Sequence, residues 1–358
     1  MLLNIFSIII ICILYTYGFI LLYITYLARR EREKGAFINN LTNALVLIIA
    51  ISVNLFLKKF LNLSDKEFLV FPFNFFIIGF VGIYLPLFYL FISREKHRFK
   101  KIKNSVKTTK SQPFTELPLK YDIYRKLTHL VVLGIIFFYF TLGFLIQNFF
   151  IYILEYIPEF ISELFHIGGD IMIFTQNLVV FLVGISLLGL LTADIVRILK
   201  PNIYPLKPVN QLLREKELHL RLGPHISMSI GCFSIIIIYG PIQPIGPVII
   251  CTSMIMSIFG DITSNLFGRT IGRRRIRKTN KTYEGLIAGM IAAFFSGIIL
   301  LYLLRNFYRS SLLGLFLIPI VGMMIIGLLD YLDLEIDDNL SFTFCLSTIL
   351  FFISFSIL

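Results

Sequence analysis

Apolar runs of about 20 residues recur along the whole chain, and they constrain its fold more than any other feature. A helix of that length crosses the hydrocarbon core of a lipid bilayer. Of the 358 residues, 57% are hydrophobic and 15% are charged, which no ordinary soluble domain matches. The runs also lack the alternating pattern of barrel strands. The sequence therefore predicts an all-α, polytopic integral membrane protein.

The hydropathy pattern predicts about ten transmembrane helices. The expected spans are 2–27, 41–57, 68–92, 130–152, 171–193, 225–240, 244–268, 285–304, 312–329 and 341–358. The span at 225–240 is the shortest of them.

Basic residues are divided unevenly between the two sets of alternate loops. Of the 33 Lys and Arg residues, 28 fall in one set and five in the other. Because loops rich in Lys and Arg stay on the cytoplasmic side, we expect the first set to be cytoplasmic and both termini to be non-cytoplasmic. The net charge of +12 therefore favours contact with anionic lipid or phosphate over nucleic acid.

A polar, lysine-rich stretch at 93–120 divides the chain into two unequal parts. Its composition is typical of a flexible linker. Before it lies an N-terminal three-helix membrane region at 1–92, which carries little chemistry. After it lies a seven-helix membrane domain at 121–358, which carries nearly all of it and is the predicted catalytic domain.

The segment 257–288 combines features that a metal–polyphosphate site requires. Asp261 lies inside an apolar helix, where an isolated carboxylate is costly and should meet a cation. A basic loop follows, and Lys281, Thr282 and Glu284 open the next apolar helix. The loop's basic residues are Arg269, Arg273, Arg274, Arg275, Arg277, Lys278 and Lys281. Interleaved glycines allow close backbone approach, and they are Gly260, Gly268, Gly272 and Gly285.

Three further groups of charges lie at cytoplasmic helix ends. The first comprises Arg125, Lys126 and His129. The second is Asp194 with Arg197, at the end of the fifth span. Anchoring to the membrane surface, or a purely structural ion pair, would explain either group taken alone.

The last group is an acidic loop between the ninth and tenth spans, on a side where the other loops are basic. Acidic residues that face a basic loop can hold Mg²⁺ against phosphate oxygens. Asp337 and Asp338 directly precede the last span, so we favour them as ligands over Asp330 and Asp333. A solvated acidic turn is the alternative.

The order of these motifs over residues 115–358 resembles the polyprenol kinase family, which includes dolichol, phytol and farnesol kinases and a CTP-dependent diacylglycerol kinase. Each motif alone is weak, and their order, spacing and shared side carry the resemblance. The motifs are Asp122-x-x-Arg125-Lys126-x-x-His129, Asp194-x-x-Arg197, Arg214-Glu215-x-Glu217, Gly260-Asp261, Lys281-Thr282-x-Glu284-Gly285 and Asp337-Asp338-Asn339.

The resemblance implies transfer of the γ-phosphate of a nucleoside triphosphate, usually CTP, to the hydroxyl of a membrane lipid alcohol, with Mg²⁺ as cofactor. The expected metal ligands are Asp261, Asp337 and Asp338. The expected catalytic residues are Asp261, Lys281, Glu284, Arg125, His129 and Asp194, of which Asp194, His129 and Glu284 are candidate bases. The expected nucleotide contacts are Gly260, Gly268, Gly272, Arg273, Lys278, Lys281, Thr282, Gly285 and Lys126.

Two other functions stay open at this point. One is a CTP-dependent phosphatidate-type cytidylyltransferase, although the closing basic and glycine-rich motif of that family is absent from this sequence. The other is a transporter, which would place charges near the bilayer midplane and repeat its helices in pairs. The residues fix neither the lipid alcohol, nor the base of the nucleotide, nor the oligomeric state, nor whether the membrane is a plasma membrane or the endoplasmic reticulum.

Overall fold

The computed structural model describes residues 2–60, 67–103, 119–159, 170–277, 279, 281–308 and 311–357. Within these residues the chain is helical apart from turns and one isolated bridge between Arg275 and Thr282. The α-helices in chain order are α1 (Leu2–Arg30), α2 (Lys34–Phe60), α3 (Phe73–Lys103), α4 (Leu119–Leu127), α5 (Val131–Phe137), α6 (Gly143–Leu154), α7 (Ile171–Leu199), α8 (Glu215–Leu218), α9 (Pro224–Tyr239), α10 (Ile245–Thr270), α11 (Tyr283–Leu303), α12 (Leu312–Leu332) and α13 (Asp338–Ile357).

Nine helical segments in the described part of the chain are long and apolar enough to cross a membrane. Their outer faces carry large exposed apolar side chains, such as Phe56, Ile83 and Phe352, each more than 60% exposed. Such faces would be unstable in water and are normal in lipid. The prediction of an all-helical protein with many membrane spans is confirmed.

The predicted span 225–240 corresponds to α9, a helix of 16 residues that is shorter than the nine others. Near its start, the Gly223 amide donates to Asp194 Oδ2 at 3.1 Å. Near its end, the Ile236 carbonyl accepts from Gln176 Nε2 at 2.9 Å. Because Gln176 and Asp194 lie about five turns apart on α7, α9 runs from one end of α7 toward the other.

The predicted fourth span is one helical path built from several pieces. A 3₁₀ turn (Thr128–Leu130) joins α4 to α5, and a π-helical turn (Phe138–Leu142) joins α5 to α6. Together these pieces form the apolar segment Ile123–Leu154. The path begins well before residue 130, which makes Arg125 and Lys126 part of its first turns.

The N-terminal helices share a hydrophobic core with the C-terminal ones. Buried residues from α1 to α3 belong to the same cluster as residues of α7, α9, α10 and α13. Helix α2 also contributes hydrogen bonds: Asn40 Nδ2 donates to the Leu220 carbonyl at 2.7 Å, and Asn43 Nδ2 to Ser227 Oγ at 3.1 Å. Helices α1 to α3 are thus packed into the bundle.

The predicted linker 93–120 is helical at both of its ends. Helix α3 continues to Lys103, and α4 begins at Leu119. Residues 93–103 therefore continue a helix beyond its apolar part, and the linker role of the stretch stays a prediction. The stretch 104–118 lies outside the described residues.

Candidate active site

Charged side chains from several helix ends meet at one end of the bundle. Ion pairs and hydrogen bonds there form three neighbouring groups, which are Asp194 with Arg197 and Glu217, Lys126 with Asp261, and Lys281 with Asp338. We call this the polar end. It brings together the C-terminal ends of α7, α10 and α12 with the N-terminal ends of α9, α11 and α13.

The first centre at the polar end is the carboxylate of Asp261 on α10. Lys126 Nζ donates to Asp261 Oδ2, and His129 Nδ1 lies 3.9 Å from the same oxygen. The 3₁₀ turn after α4 allows both side chains to reach it. Asp261 and Lys126 are only 14% and 11% exposed, so the carboxylate meets the cation that its burial requires.

His129 and Arg125 take different directions from the same segment. The His129 side chain is buried, and its Nε2 atom has no hydrogen-bond partner among the described residues. Its ring lies 6.2 Å from that of His225, centroid to centroid. Arg125 Nη1 instead pairs with Glu217 Oε1 at 3.4 Å. Lys126 and His129 thus lie against the Asp261 carboxylate, whereas Arg125 pairs with Glu217 of α8.

The second centre is the ammonium group of Lys281, which three carboxylates surround. Lys281 Nζ lies 2.9 Å from Asp330, 3.1 Å from Asp333 and 3.1 Å from Asp338. Ser264 Oγ donates to the second oxygen of Asp330 at 2.8 Å. Burial alone would lower the pKa of Lys281, but the carboxylates of Asp338, Asp330 and Asp333 together raise this pKa above its usual value.

The two centres lie beside one another. The charge of Asp338 interacts with those of Asp261, Asp330 and Asp337. Asp261 and Asn339 also line one small cavity of about 10 Å³, which is room for about one water molecule. A nucleotide therefore cannot enter this cavity as it stands, and any phosphate must approach from the rim.

Asp337 and Asp338 differ in their surroundings. Asp337 Oδ1 accepts from the Asn339 backbone amide at 3.0 Å and from its side-chain amide at 2.7 Å, which caps α13. The Asp337 amide donates to Asn39 Oδ1 at 2.9 Å. Asp338 faces Lys281. Of these two expected metal ligands, Asp337 therefore partly caps α13, while Asp338 lies in the cluster of acids.

The basic loop forms a short hairpin between α10 and α11. The Ile276 amide donates to the Lys281 carbonyl at 2.8 Å, and the Tyr283 amide to the Arg274 carbonyl at 2.9 Å. Ile276 is buried, and the arginines are exposed on the outside of the hairpin. These are Arg273, Arg274, Arg275 and Arg277. Lys278, an expected nucleotide contact, lies outside the described residues.

Glu284 and Thr282 have structural partners in this hairpin. The Glu284 carboxylate accepts from the amides of Arg273 and Arg274 at 3.2–3.3 Å. Thr282 Oγ1 accepts from the Gly285 amide at 3.2 Å and caps α11. Both residues therefore hold the hairpin against the helix, and their predicted contact with substrate stays a prediction.

The expected nucleotide-site glycines lie where α10 and α11 pack closely. A Cβ at Gly285 would be 2.5 Å from the Ser264 carbonyl oxygen, and one at Gly272 would be 2.5 Å from Thr282 Oγ1. Gly260 lies at the same contact, facing Gly289. Small residues of this kind let membrane helices approach one another. Helix packing thus accounts for these glycines, and nucleotide contact by them stays a prediction.

Asp194 and Arg197 anchor the segment that precedes α9. Arg197 Nε donates to Asp194 Oδ1 at 2.5 Å, and its other nitrogens donate to the carbonyls of Glu217 and Arg221 at 2.7 and 2.8 Å. With the Gly223 amide on Asp194 Oδ2, both carboxylate oxygens have partners. A structural role is thus evident for Asp194, and its expected catalytic role stays a prediction.

Sequence reasoning did not single out some of the residues at the polar end. Asn39 binds the start of α13, and Arg221 Nη2 donates to the Glu335 carbonyl at 3.1 Å. Asp330 itself was ranked below Asp337 and Asp338 but is 6% exposed and bound to Lys281. The available signal was the unusual number of asparagines near the start of α2, at 39, 40 and 43.

No group of three or more His, Cys, Asp or Glu side chains within the described residues is arranged to hold a metal ion by itself. Mg²⁺ in nucleotide enzymes needs no such group, because one or two carboxylates and the phosphates bind it together with water. The gathering of Asp261, Asp330, Asp337 and Asp338 fits this type of binding. The acidic residues present are therefore compatible with a metal that arrives with a phosphate ligand.

The fold is that of a helical, polytopic integral membrane protein, and the polar end places lysine–carboxylate centres at one end of its helix bundle. No family model, no curated protein and no solved structure matches the chain.

Proposed function

We propose that the protein is a membrane lipid-alcohol kinase. It transfers the γ-phosphate of a nucleoside triphosphate, with CTP as the expected donor, to the hydroxyl of a polyprenol such as dolichol or a shorter isoprenoid alcohol. The observation that carries the proposal is the pair of adjacent centres, Lys126 on Asp261 and Lys281 on three aspartates. The motif resemblance described above supports the same activity.

The two centres fit phosphoryl transfer because each lysine can bind phosphate in place of its aspartate. Phosphate oxygens bind lysine in the same way as carboxylate oxygens do. When the triphosphate binds Lys126 and Lys281, their aspartates are left without a counter-ion. Mg²⁺, bound by Asp261 and by Asp338 or Asp337, would neutralise those aspartates and the phosphates at once. In this proposal, nucleotide and metal each favour binding of the other.

His129 is the best placed of the three candidate bases. Glu284 binds backbone amides of the hairpin, and both oxygens of Asp194 are bound. His129 Nε2 lacks a hydrogen-bond partner in the described structure. In the proposed step, Nε2 accepts the proton of the alcohol, whose oxygen bonds to the γ-phosphorus. The bond from that phosphorus to the β,γ-bridging oxygen breaks, and the nucleoside diphosphate leaves.

In this proposal the site lies at the edge of the membrane, a position that suits a lipid acceptor and a soluble donor. The alcohol stays in the bilayer, whereas the nucleotide comes from the aqueous phase. By the distribution of Lys and Arg, we assign the polar end to the cytoplasmic face of a plasma membrane or an endoplasmic reticulum membrane. The exposed arginines of the hairpin would attract the triphosphate.

The test uses purified full-length protein in detergent with Mg²⁺, γ-labelled CTP or ATP, and a panel of polyprenols, isoprenoid alcohols and diacylglycerol. We expect label in an extracted polyprenyl or isoprenyl phosphate. Asp261→Asn and Lys126→Met should each lower the rate at least about 100-fold, as expected when a charge that positions phosphate is lost. Lys59→Met, an exposed lysine outside the polar end, is the matched control and should keep wild-type activity.

Two results would contradict the proposal. Wild-type turnover by the Asp261→Asn protein would show that Asp261 is not part of the catalytic site. Transfer of the nucleotide moiety to phosphatidate, with no label in any alcohol, would instead indicate a cytidylyltransferase.

A further inference from the structure

A second cavity lies between the end of α3 and the turn that follows α7. Its volume is about 290 Å³, and it shares no residue with the two lysine–aspartate centres. Tyr89 and Ile92 form an apolar wall, while Ser93, Lys96 and Lys200 form a polar one. The proposed kinase activity leaves this cavity without a role.

The two lysines of the cavity lie apart from the acidic side chains that the structure describes. Among the described residues, neither Lys96 nor Lys200 has an acidic partner within ion-pair distance. Glu95, the neighbouring acid on α3, is bound by Arg98 at 3.0 Å and by Lys207 at 3.8 Å. The cavity therefore presents two cations to one space, one from α3 and one from the residue that follows α7, and an anion is the complementary ligand.

The position of the cavity indicates that this anion is attached to a lipid. Tyr89 lies within the apolar segment Phe73–Arg98 and is 68% exposed, and the adjacent Leu90 is 62% exposed. Exposed apolar side chains of this kind suit contact with acyl chains, and Lys96 lies about two turns beyond Tyr89 toward the polar C-terminal end of α3. Basic pockets between membrane helices bind anionic headgroups in this way.

We propose that this cavity is a binding site for one anionic phospholipid. Lys96 and Lys200 bind the headgroup phosphate from two sides, and Tyr89 and Ile92 contact the upper part of an acyl chain. Scattered basic residues at helix ends also attract anionic lipid, but they do so without a defined site. The concave space between two helices distinguishes this pair of lysines.

The test measures lipid binding to the purified full-length protein by native mass spectrometry, after detergent exchange to remove co-purified lipid. Phosphatidylglycerol is titrated, with phosphatidylcholine of the same acyl chains as the neutral comparison. The variant is Lys96→Gln/Lys200→Gln. The matched control is Arg29→Gln/Arg30→Gln, which removes two exposed charges at the end of α1.

We expect the cavity variant to bind the first phosphatidylglycerol about tenfold more weakly than wild type. The arginine control should stay within about twofold of wild type, and phosphatidylcholine binding should be the same for all three proteins. A melting temperature measured without lipid should be unchanged in the cavity variant, because both lysines are exposed.

Three outcomes would overturn the proposal. Unchanged phosphatidylglycerol binding in the cavity variant would mean that the lysines are not ligands. An equal loss in the arginine control would indicate diffuse surface charge. Displacement of the lipid by glycerol 3-phosphate at matching concentration would indicate a site for a soluble phosphate.

Discussion

Lys281 is the counter-ion of three carboxylates at the polar end. A single ammonium group, 22% exposed, compensates three carboxylates on two neighbouring helix ends. Removing one partner of a buried ion pair leaves an uncompensated charge, which is costly, and partial exposure reduces that cost. The residue is therefore expected to affect stability as well as activity.

Lys281→Met should lower the free energy of unfolding by about 1–2 kcal/mol, a value between those for surface and buried ion pairs, and should abolish phosphoryl transfer. Adding Asp330→Asn should recover part of the stability, because one fewer carboxylate is left uncompensated, but no activity. Thermal melting in detergent and the labelled-lipid assay measure the two effects. A Lys281→Met protein that melts like wild type would contradict the ion-pair cluster.

The pH dependence of this stability difference follows from the raised pKa of Lys281. The pKa of lysine is about 10.4 in the unfolded chain and higher at position 281 in the folded protein. The stability that this difference provides is fully present below the unfolded-state pKa, and it is lost as the pH rises through the folded-state pKa. The difference in melting temperature between wild type and Lys281→Met should therefore stay constant from pH 7 to 10. A difference that disappears between pH 8 and 9 would show that the carboxylates do not stabilise the ammonium group.

At the scale of elements, the close approach of α10 and α11 positions the hairpin over the acids. Gly285 lies where an added Cβ would contact the backbone oxygen of Ser264 at 2.5 Å. Backbone cannot move aside as a flexible side chain can. The separation of the two helices thus depends on this glycine.

Gly285→Ala should lower the free energy of unfolding by about 1–3 kcal/mol, as overpacking does. The matched control is Gly79→Ala on α3, where an added Cβ meets nothing within 4 Å. That change should be neutral or slightly stabilising, because alanine favours helix over glycine. Thermal unfolding of both variants measures the contrast, and equal effects would argue against close packing at Gly285.

The positions of the helices along the chain were predictable from sequence, whereas the contacts between helices were not. Length and hydropathy locate each apolar run, because crossing lipid requires about 20 such residues. The same signal does not say which helices touch, since lipid-facing and buried faces are both apolar. The pairing of Lys126 with Asp261, 135 residues later, therefore required the structure. Asn39 was missed because its partner, the Asp337 amide, is a backbone group that no motif reveals.

At the scale of the whole molecule, the number of crossings depends on α9. Five predicted spans separate Lys59, after the second, from Arg277, after the seventh. If α9 crosses, these residues lie on opposite sides of the membrane, and if it does not, they lie on the same side. The count also decides whether both termini face the same side.

Single cysteines at the two positions distinguish these arrangements, after replacement of the four native cysteines. In sealed vesicles of known orientation, a membrane-impermeant maleimide should label Arg277→Cys from the cytoplasmic side alone and Lys59→Cys from the other side alone. Both residues are exposed, so accessibility itself is not limiting. Labelling of both from one side would mean that α9 does not complete a crossing.

The asparagines of α2 have a consequence for biosynthesis. Asn40, Asn43 and Asn54 are buried against partners that lie 180–184 positions later in the chain. At about 5–20 residues per second, a ribosome needs roughly 10–40 s to make those partners. During that interval the amides of α2 are already in the membrane without their final hydrogen bonds. The nascent chain must therefore keep α2 beside other polar groups, in the insertion machinery or against α1, until α9 arrives.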